Sequence, residues 1–391
     1  TTSKIHTAVK VEPEYEHSVV YVPDASRVVG VASKLLSKEQ KPAYVQEIRE
    51  EYQNFRDRRK EGKRVMADYD TARTNKVPID WDSYTPPTPA FTGTKVLKEV
   101  PLKDLVGFID WGPFFAGWDL HGQFPAILDD EVVGEQATDL YENAQEMLKD
   151  LIDGGRLKAA AVCGFWPANT VEDDDIAIYT DETRSTEVTR LHHLRRQAGT
   201  GEDMPHGSLA DFVAPLETGL QDYIGGFVVT AGIGADEIAK EFEVKQDDYN
   251  AIMVKILADR FAEALAEYLH QVVRREFWGY APDEALNNQE LIREKYRGIR
   301  PAPGYPACPD HTEKATLFDL TDADAEIGVS LTESFAMYPG AAVSGWYFSH
   351  PDSEYLNVGI IGEDQLSSYA ERKEMTMREA RRWLAPNLAY E

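Results

Sequence analysis

Basic residues are scarce in this chain. Lys and Arg total 41 against 68 Asp and Glu, a formal net charge of −27 over 391 residues. Nucleic-acid binding needs clustered cations to neutralise phosphates, so that class of partner is excluded. Docking on an anionic membrane surface is excluded for the same reason. Long apolar runs are absent too: no stretch of about 18 apolar residues could span a bilayer. Cysteine is nearly absent, with Cys163 and Cys308 the only two. Two cysteines make no disulfide framework for a chain this long, which reads as a reducing cytoplasm. They also cannot build a structural zinc site without several histidines nearby. The start, Thr1-Thr2-Ser3-Lys4, has neither an initiator Met nor an apolar signal core, and reads as a trimmed natural sequence. No G-x-S-x-G, H-E-x-x-H, C-x-x-C or P-loop pattern occurs, so hydrolase, metalloprotease, dithiol and NTPase readings lack support.

What remains is an ordinary globular composition, 42% hydrophobic and 28% charged, long enough to bury a sizeable core. The first 62 residues read as a piece apart. Ser18–Val22 is a short apolar run ending at the Pro23-Asp24 turn signal. Ser26 can cap a helix through Ser33, and a second helix starts near Ser37. One strand and two helices look like the end of an α/β unit, and a lone parallel strand lacks the neighbours that would stabilise it. Residues 56–64, RDRRKEGKR, are the only basic cluster, either a solvated helix end or a docking patch. Residues 63–101 hold Pro78, Pro86, Pro87 and Pro89 with Trp81 and Tyr84 between them, an arm packed on a core by its aromatics.

From 102 onward helices are expected at 134–153, 235–244, 247–276, 287–296, 311–327 and 376–384. Strands are expected at 159–166, 175–180, 223–230, 342–349 and 355–361, the last two forming a hairpin through 350–354. Helices mixed with hairpin-type strands favour an α+β fold over a doubly wound sheet. The expected architecture is a mainly antiparallel twisted sheet with flanking helices, preceded by an incomplete α/β segment.

Several motifs admit two readings. The helix at 247–276 carries an apolar stripe through Tyr249, Ile252, Met253, Ile256, Leu257, Phe261, Leu265 and Leu269. Its other side presents Asp259, Glu263, Glu267 and His270, either a carboxylate ladder or, more simply, a solvated face. Thr230–Gly234 resembles a strand, glycine loop and helix start, but it lacks the third glycine of a dinucleotide loop and reads better as a tight turn. Glu172–Asp175 reads as a polar turn, and His192-His193 as a pair on a surface segment. The stretch 298–314 is unusual. Its prolines and glycines make a stiff loop whose free N–H and C=O groups point in set directions, with Arg300 placed for a carboxylate.

At this loop the chain resembles the C-terminal activation domain of cobalamin-dependent methionine synthases. The matching residues include Phe108-Ile109-Asp110-Trp111, Gly164-Phe165-Trp166-Pro167, Asp211-Phe212-Val213-Ala214-Pro215, Arg300 through Lys314, Leu331-Thr332-Glu333-Ser334-Phe335, Val343–Ser349 and Arg382-Trp383-Leu384-Ala385-Pro386-Asn387. Such blocks cover nearly all of 100–391. Residues 1–62 resemble the last strand and helices of the cobalamin-binding domain, whose bulk, with its cobalt-ligating histidine motif, is missing here.

The resemblance implies a division into 1–62, the tail of that domain, and 63–391, a domain binding S-adenosylmethionine. It implies that the methyl group is presented for reductive remethylation of inactive cob(II)alamin, with an electron from flavodoxin or a methionine synthase reductase. Arg300 would pair with the ligand carboxylate and Asp110 with its ammonium. The main chain at Ala302, Pro303 and Gly304 would line the adenosyl group, with Tyr355 and the backbone of Leu356 as further contacts. Glu263 and Glu294 are plausible acidic neighbours, and Tyr305 with Pro339-Gly340-Ala341 would face the corrin. No residue need be a general acid, base or nucleophile, because the sulfonium is already activated. Cobalamin would be held by the upstream domain, and zinc would belong only to the N-terminal part of a full enzyme. The isolated chain, expected as a monomer, would then be inactive in methionine formation. Its acidity is awkward for an acidic flavodoxin, with 56–64 and Arg274-Arg275 the candidate basic faces. The rival readings are a free-standing methyltransferase and a module that only docks the electron donor.

Overall fold

The computed structural model describes residues 4, 7–15, 17–22, 25–38, 40–61, 66–172, 174–199 and 204–388. The chain forms two compact units, Thr1–Met66 and Ala67–Glu391.

In the first unit the described residues carry helices α1 (Ala25–Leu36) and α2 (Lys41–Glu61) and no strand. The strand expected at Ser18–Val22 is not formed. Among the described residues of this unit no second strand is present to take its hydrogen bonds, and the Tyr21 N–H donates to the hydroxyl of buried Tyr52 at 2.8 Å instead. The basic cluster at 56–64 falls on side chains outside those described.

The second unit is built on one antiparallel sheet. Its strands are β1 (Gly93–Val100), β2 (Lys158–Val171), β3 (Asp175–Tyr179), β4 (Glu187–His192), β5 (Asp222–Ile233) and β6 (Ala342–Tyr347). The order is β4-β3-β2-β5-β6, and β1 shares the free edge of β2 with β3. Val96, Val162, Val228 and Ser344 stand in register across four strands. Successive residues of β2 face opposite ways, as strand geometry requires. Ala159, Ala161, Cys163 and Phe165 join one core, and Ala160, Val162, Trp166 and Ala168 the other. Both faces are therefore covered, which explains why β2 and β5 are apolar almost throughout.

The first core lies under α3 (Gly134–Gly154), α4 (Ala235–Val244) and α5 (Asp248–Val272). On the other face pack α6 (Glu313–Thr321) and α7 (Ala323–Ile327), one predicted helix broken at Asp322, whose φ is +49°. A third small core joins α8 (Glu363–Arg372) and α9 (Met377–Trp383) to Leu194, Val358 and Ile361. The predicted aromatic arm is present: Trp81 and Tyr84 lie 5.1 and 4.4 Å from the His350 ring.

Several expectations are corrected. Residues 355–361 do not pair with β6. The outer edge of β6 is taken by the proline-rich loop, through Trp346 N–H to Pro301 O at 2.9 Å and the Ile299–Phe348 bridge. The later segment instead runs along that loop, with Val358 N–H donating to Pro306 O at 3.0 Å. The predicted 287–296 helix is only Asn288–Ile292. Strands β1 and β4 and helix α8 were not expected. Glu172 and Asp174 do lie in a turn leading into β3, as expected, but Asp174 and Asp175 are fully buried. Arg195 pairs with both Asp174 and Asp211 at 2.7 Å, and Arg372 pairs with Asp175. His193 is 1% exposed, so it is no surface residue. Arg274 is buried and cannot serve a basic docking face. Tyr249 and Ile252, expected in the core stripe, are exposed.

Candidate functional site

Arg300 owes its position to the loop. Its segment extends along β6, and its N–H donates to the Tyr355 hydroxyl at 3.1 Å. Gly304 turns the chain with φ +95°, and a β-carbon there would meet Cε1 of His311 at 2.3 Å. Only glycine lets the loop lie against that ring. Tyr305 N–H to Ala302 O and Gly304 N–H to Cys308 O close the turn at 3.2 and 2.7 Å.

Across from Arg300 runs the second half of α5, which is apolar on most sides and buried. Glu263 and Glu267 sit one turn apart, so both point the same way. Glu267 is 7% exposed, which overturns the solvated-face reading. Arg300 Nη2 donates to Glu267 Oε2 at 2.7 Å. Burial works against the Arg300 charge, but Glu267, Tyr296 and Tyr355 together hold the guanidinium above its ordinary pKa. Burial pushes the Glu263 carboxyl up, against the opposing pull of Arg300 and Arg260.

Phe108, Asp110, Pro113, Arg260, Glu263, Glu267, Leu291, Ile292, Glu294 and Arg300 line one cleft of about 330 Å³. The Asp110 carboxylate accepts from the Gly112 N–H at 2.9 Å, which fixes it at the start of a short helix. Asn288 Nδ2 donates to Ile109 O at 3.2 Å and ties that turn to the Asn288–Ile292 helix. Next to this cleft lies a second of about 330 Å³, lined by Ala302, Pro303, Tyr305, His311, Lys314, Phe335 and Ser344 among others. Glu263 lines both. A third cavity, about 220 Å³, is bounded by Asp236, Lys255, Asp259 and Pro339-Gly340-Ala341.

Of the residues singled out from sequence, Asp110, Glu263, Glu294 and Arg300 therefore share one cleft. Ala302, Pro303 and Tyr305 line its neighbour, and Pro339, Gly340 and Ala341 border a separate cavity. Tyr355 reaches the cluster through Arg300. The Leu356 side chain is buried in the second core, leaving only its backbone for a ligand. Among the described residues no group of three or more His, Cys, Asp and Glu could hold a metal ion.

A family profile described as the activation domain of vitamin B12-dependent methionine synthase matches residues 101–374. The chain belongs to this family. Among solved structures it is similar to a crystal structure of the MetH reactivation domain bound to AdoHcy. The two share 53% identity with a TM-score of 0.81, over 83% of this chain and 99% of that one. The mixed fold of helices and antiparallel sheet agrees with that structure. In this activation domain Arg260, Arg274 and Tyr296 were not singled out for the cleft from sequence, and Glu267 entered only as part of a possible carboxylate ladder. The one signal for Glu267 was its i, i+4 spacing from Glu263, which a solvated helix face shows equally.

Proposed function

We propose that the Arg300 cleft binds S-adenosylmethionine and presents its methyl group for remethylation of cobalamin. The observation that carries this reading is the meeting of the Arg300 fork with four carboxylates, Asp110, Glu263, Glu267 and Glu294, in one cleft. Arg300 gives Nη2 to Glu267, yet its side chain stays 20% exposed beside the cleft, so the guanidinium keeps a face for the ligand carboxylate. Asp110 accepts from the ligand ammonium, and Glu263 with Glu294 favours a cationic ligand. The main chain of Ala302, Pro303 and Gly304 borders the adenosyl group, with Tyr355 and the Leu356 backbone closing it. The similarity to a domain bound to AdoHcy, the demethylated form of the ligand, supports a ligand of this class.

Tyr305 is 64% exposed and Tyr338 59%. Such outward aromatic surface fits the broad face of a corrin carried by a neighbouring domain, with Pro339-Gly340-Ala341 beside it. Cobalamin, held by that domain, supplies the methyl acceptor, and flavodoxin or a methionine synthase reductase supplies the electron. Residues 1–62 are then the tail of the cobalamin-binding domain, in a cytoplasmic enzyme making methionine from homocysteine. The chain's own part is to bind and orient, which lowers the entropic cost of transfer without acid–base chemistry. A free-standing methyltransferase is less well supported, because Gly232–Gly234 ends an antiparallel strand and no βαβ unit surrounds it.

Calorimetric titration with S-adenosylmethionine tests this. Arg300→Ala is expected to weaken binding about 10- to 150-fold, the worth of a charged hydrogen bond, while melting stays cooperative. Retained affinity overturns the carboxylate assignment.

A further inference from the structure

Behind Arg300 the second unit holds a row of buried charges of alternating sign. Glu284 accepts from Arg274 Nη2 at 2.7 Å and from its Nε at 2.8 Å. Arg274 Nη1 lies 3.8 Å from Glu267 Oε1. Glu267 Oε2 in turn accepts from Arg300 Nη2 at 2.7 Å. From Arg274 toward the cleft exposure rises, the side chain of Arg274 being 0% exposed, Glu267 9% and Arg300 20%, while Glu284 at the far end is 7% exposed. Glu267 and Arg274 are seven residues apart, two turns along α5 and the π turn that continues it, so one face supplies both. The Arg274 guanidinium also lies 4.2 Å from the centre of the Tyr296 ring, which limits its movement.

The row is charge-balanced, two arginines against two glutamates, so no buried charge is left uncompensated. An arginine side chain has many rotamers and loses entropy when a ligand fixes it. Here that ordering is done before a ligand arrives. One Glu267 oxygen accepts a hydrogen bond from Arg300, and the other faces Arg274 across 3.8 Å, an ion pair without a hydrogen bond. One Arg300 nitrogen is occupied by Glu267, and its Nε has no partner among the described residues.

We propose that Glu267, charge-balanced from behind by the Arg274–Glu284 pair, is a positioning residue that pre-sets the Arg300 guanidinium for the ligand carboxylate. This rests on the assignment of the cleft to S-adenosylmethionine. It adds a specific consequence: the benefit of Glu267 is felt only by ligands that carry the carboxylate. Glu267 touches Arg300 and acts through it.

The test titrates the whole chain with S-adenosylmethionine and with its decarboxylated analogue. In Glu267→Gln, S-adenosylmethionine is expected to bind about tenfold more weakly, while the analogue changes by less than about twofold. In an Arg300→Ala background the same substitution adds no further loss. Glu267→Asp keeps the charge and recovers part of the affinity. If Glu267→Gln does not fold, Glu267→Asp carries the comparison: loss confined to the carboxylate-bearing ligand supports the proposal. Equal losses for both ligands, or no loss for either, overturn it, because a merely structural carboxylate would not distinguish them. If the unaltered chain binds S-adenosylmethionine and the discrimination fails, positioning alone falls. If the unaltered chain binds neither ligand, the reading of the cleft falls and the positioning claim with it.

Discussion

His193 shows at the residue scale what burial does to chemistry in this molecule. Neither of its ring nitrogens has a hydrogen-bond partner among the described residues. Burial pushes its pKa down to about 3; Asp175 opposes the shift, while His192, Arg372 and Lys373 add to it. The unfolded chain takes up a proton near pH 6.5 that the folded chain refuses, so stability falls as pH drops below that value. Each pH unit costs about 1.4 kcal/mol for this one group. His270, buried against Tyr347 and also lowered by burial, acts in the same sense. Asp222 acts oppositely. Burial raises its carboxyl to about 7, so it keeps a proton that the unfolded chain loses near 3.8, and stability falls as pH rises between the two. In His193→Asn the urea midpoint is expected to vary less steeply between pH 6.5 and 4 than in the unaltered chain. Parallel curves would show that His193 is charged in the folded state.

At the scale of elements, the turn between β5 and α4 is decided by one residue. Gly234 has φ +88°, and a β-carbon there would meet the Arg156 carbonyl oxygen at 2.3 Å. Gly234→Ala is expected to destabilise by at least about 1–3 kcal/mol in denaturant unfolding, since strain and clash act together. An unchanged midpoint would mean the turn relaxes freely. This turn was legible in the sequence because glycine punctuation is local. The helices α3, α4 and α5 were legible for the same reason, each burying a stripe of helical period. The polar row of α5 was not. Its partners Glu284 and Arg300 are distant in sequence, and nothing local separates a carboxylate facing them from one facing water. Strand β1 was hidden by Lys95, Lys98 and Glu99, which suit an edge strand but dilute its alternation. The hairpin at 342–361 failed because a loop some forty residues earlier had already taken the edge of β6. Arg300 and Asp110 entered as site residues through the family resemblance; spacing alone would have left Arg300 a general carboxylate partner.

For the whole molecule, every residue assigned to the cleft belongs to the unit Ala67–Glu391. Removing residues 1–66 is therefore expected to leave the affinity for S-adenosylmethionine within about twofold, since sites without shared partners behave independently. A larger loss would place part of the site in the first unit. No helix among the described residues is long and apolar enough to cross a membrane. The central claim is that one cleft, built by a rigid loop on the edge of β6 and a charged row on α5, holds the ligand by its amino-acid end. A crystal structure of this chain with S-adenosylhomocysteine tests it most directly. The ligand carboxylate is expected within hydrogen-bond distance of Arg300, its ammonium at Asp110, and Glu267 still paired with Arg300. Ligand density in the cavity beside Pro339-Gly340-Ala341, with Arg300 untouched, would contradict it.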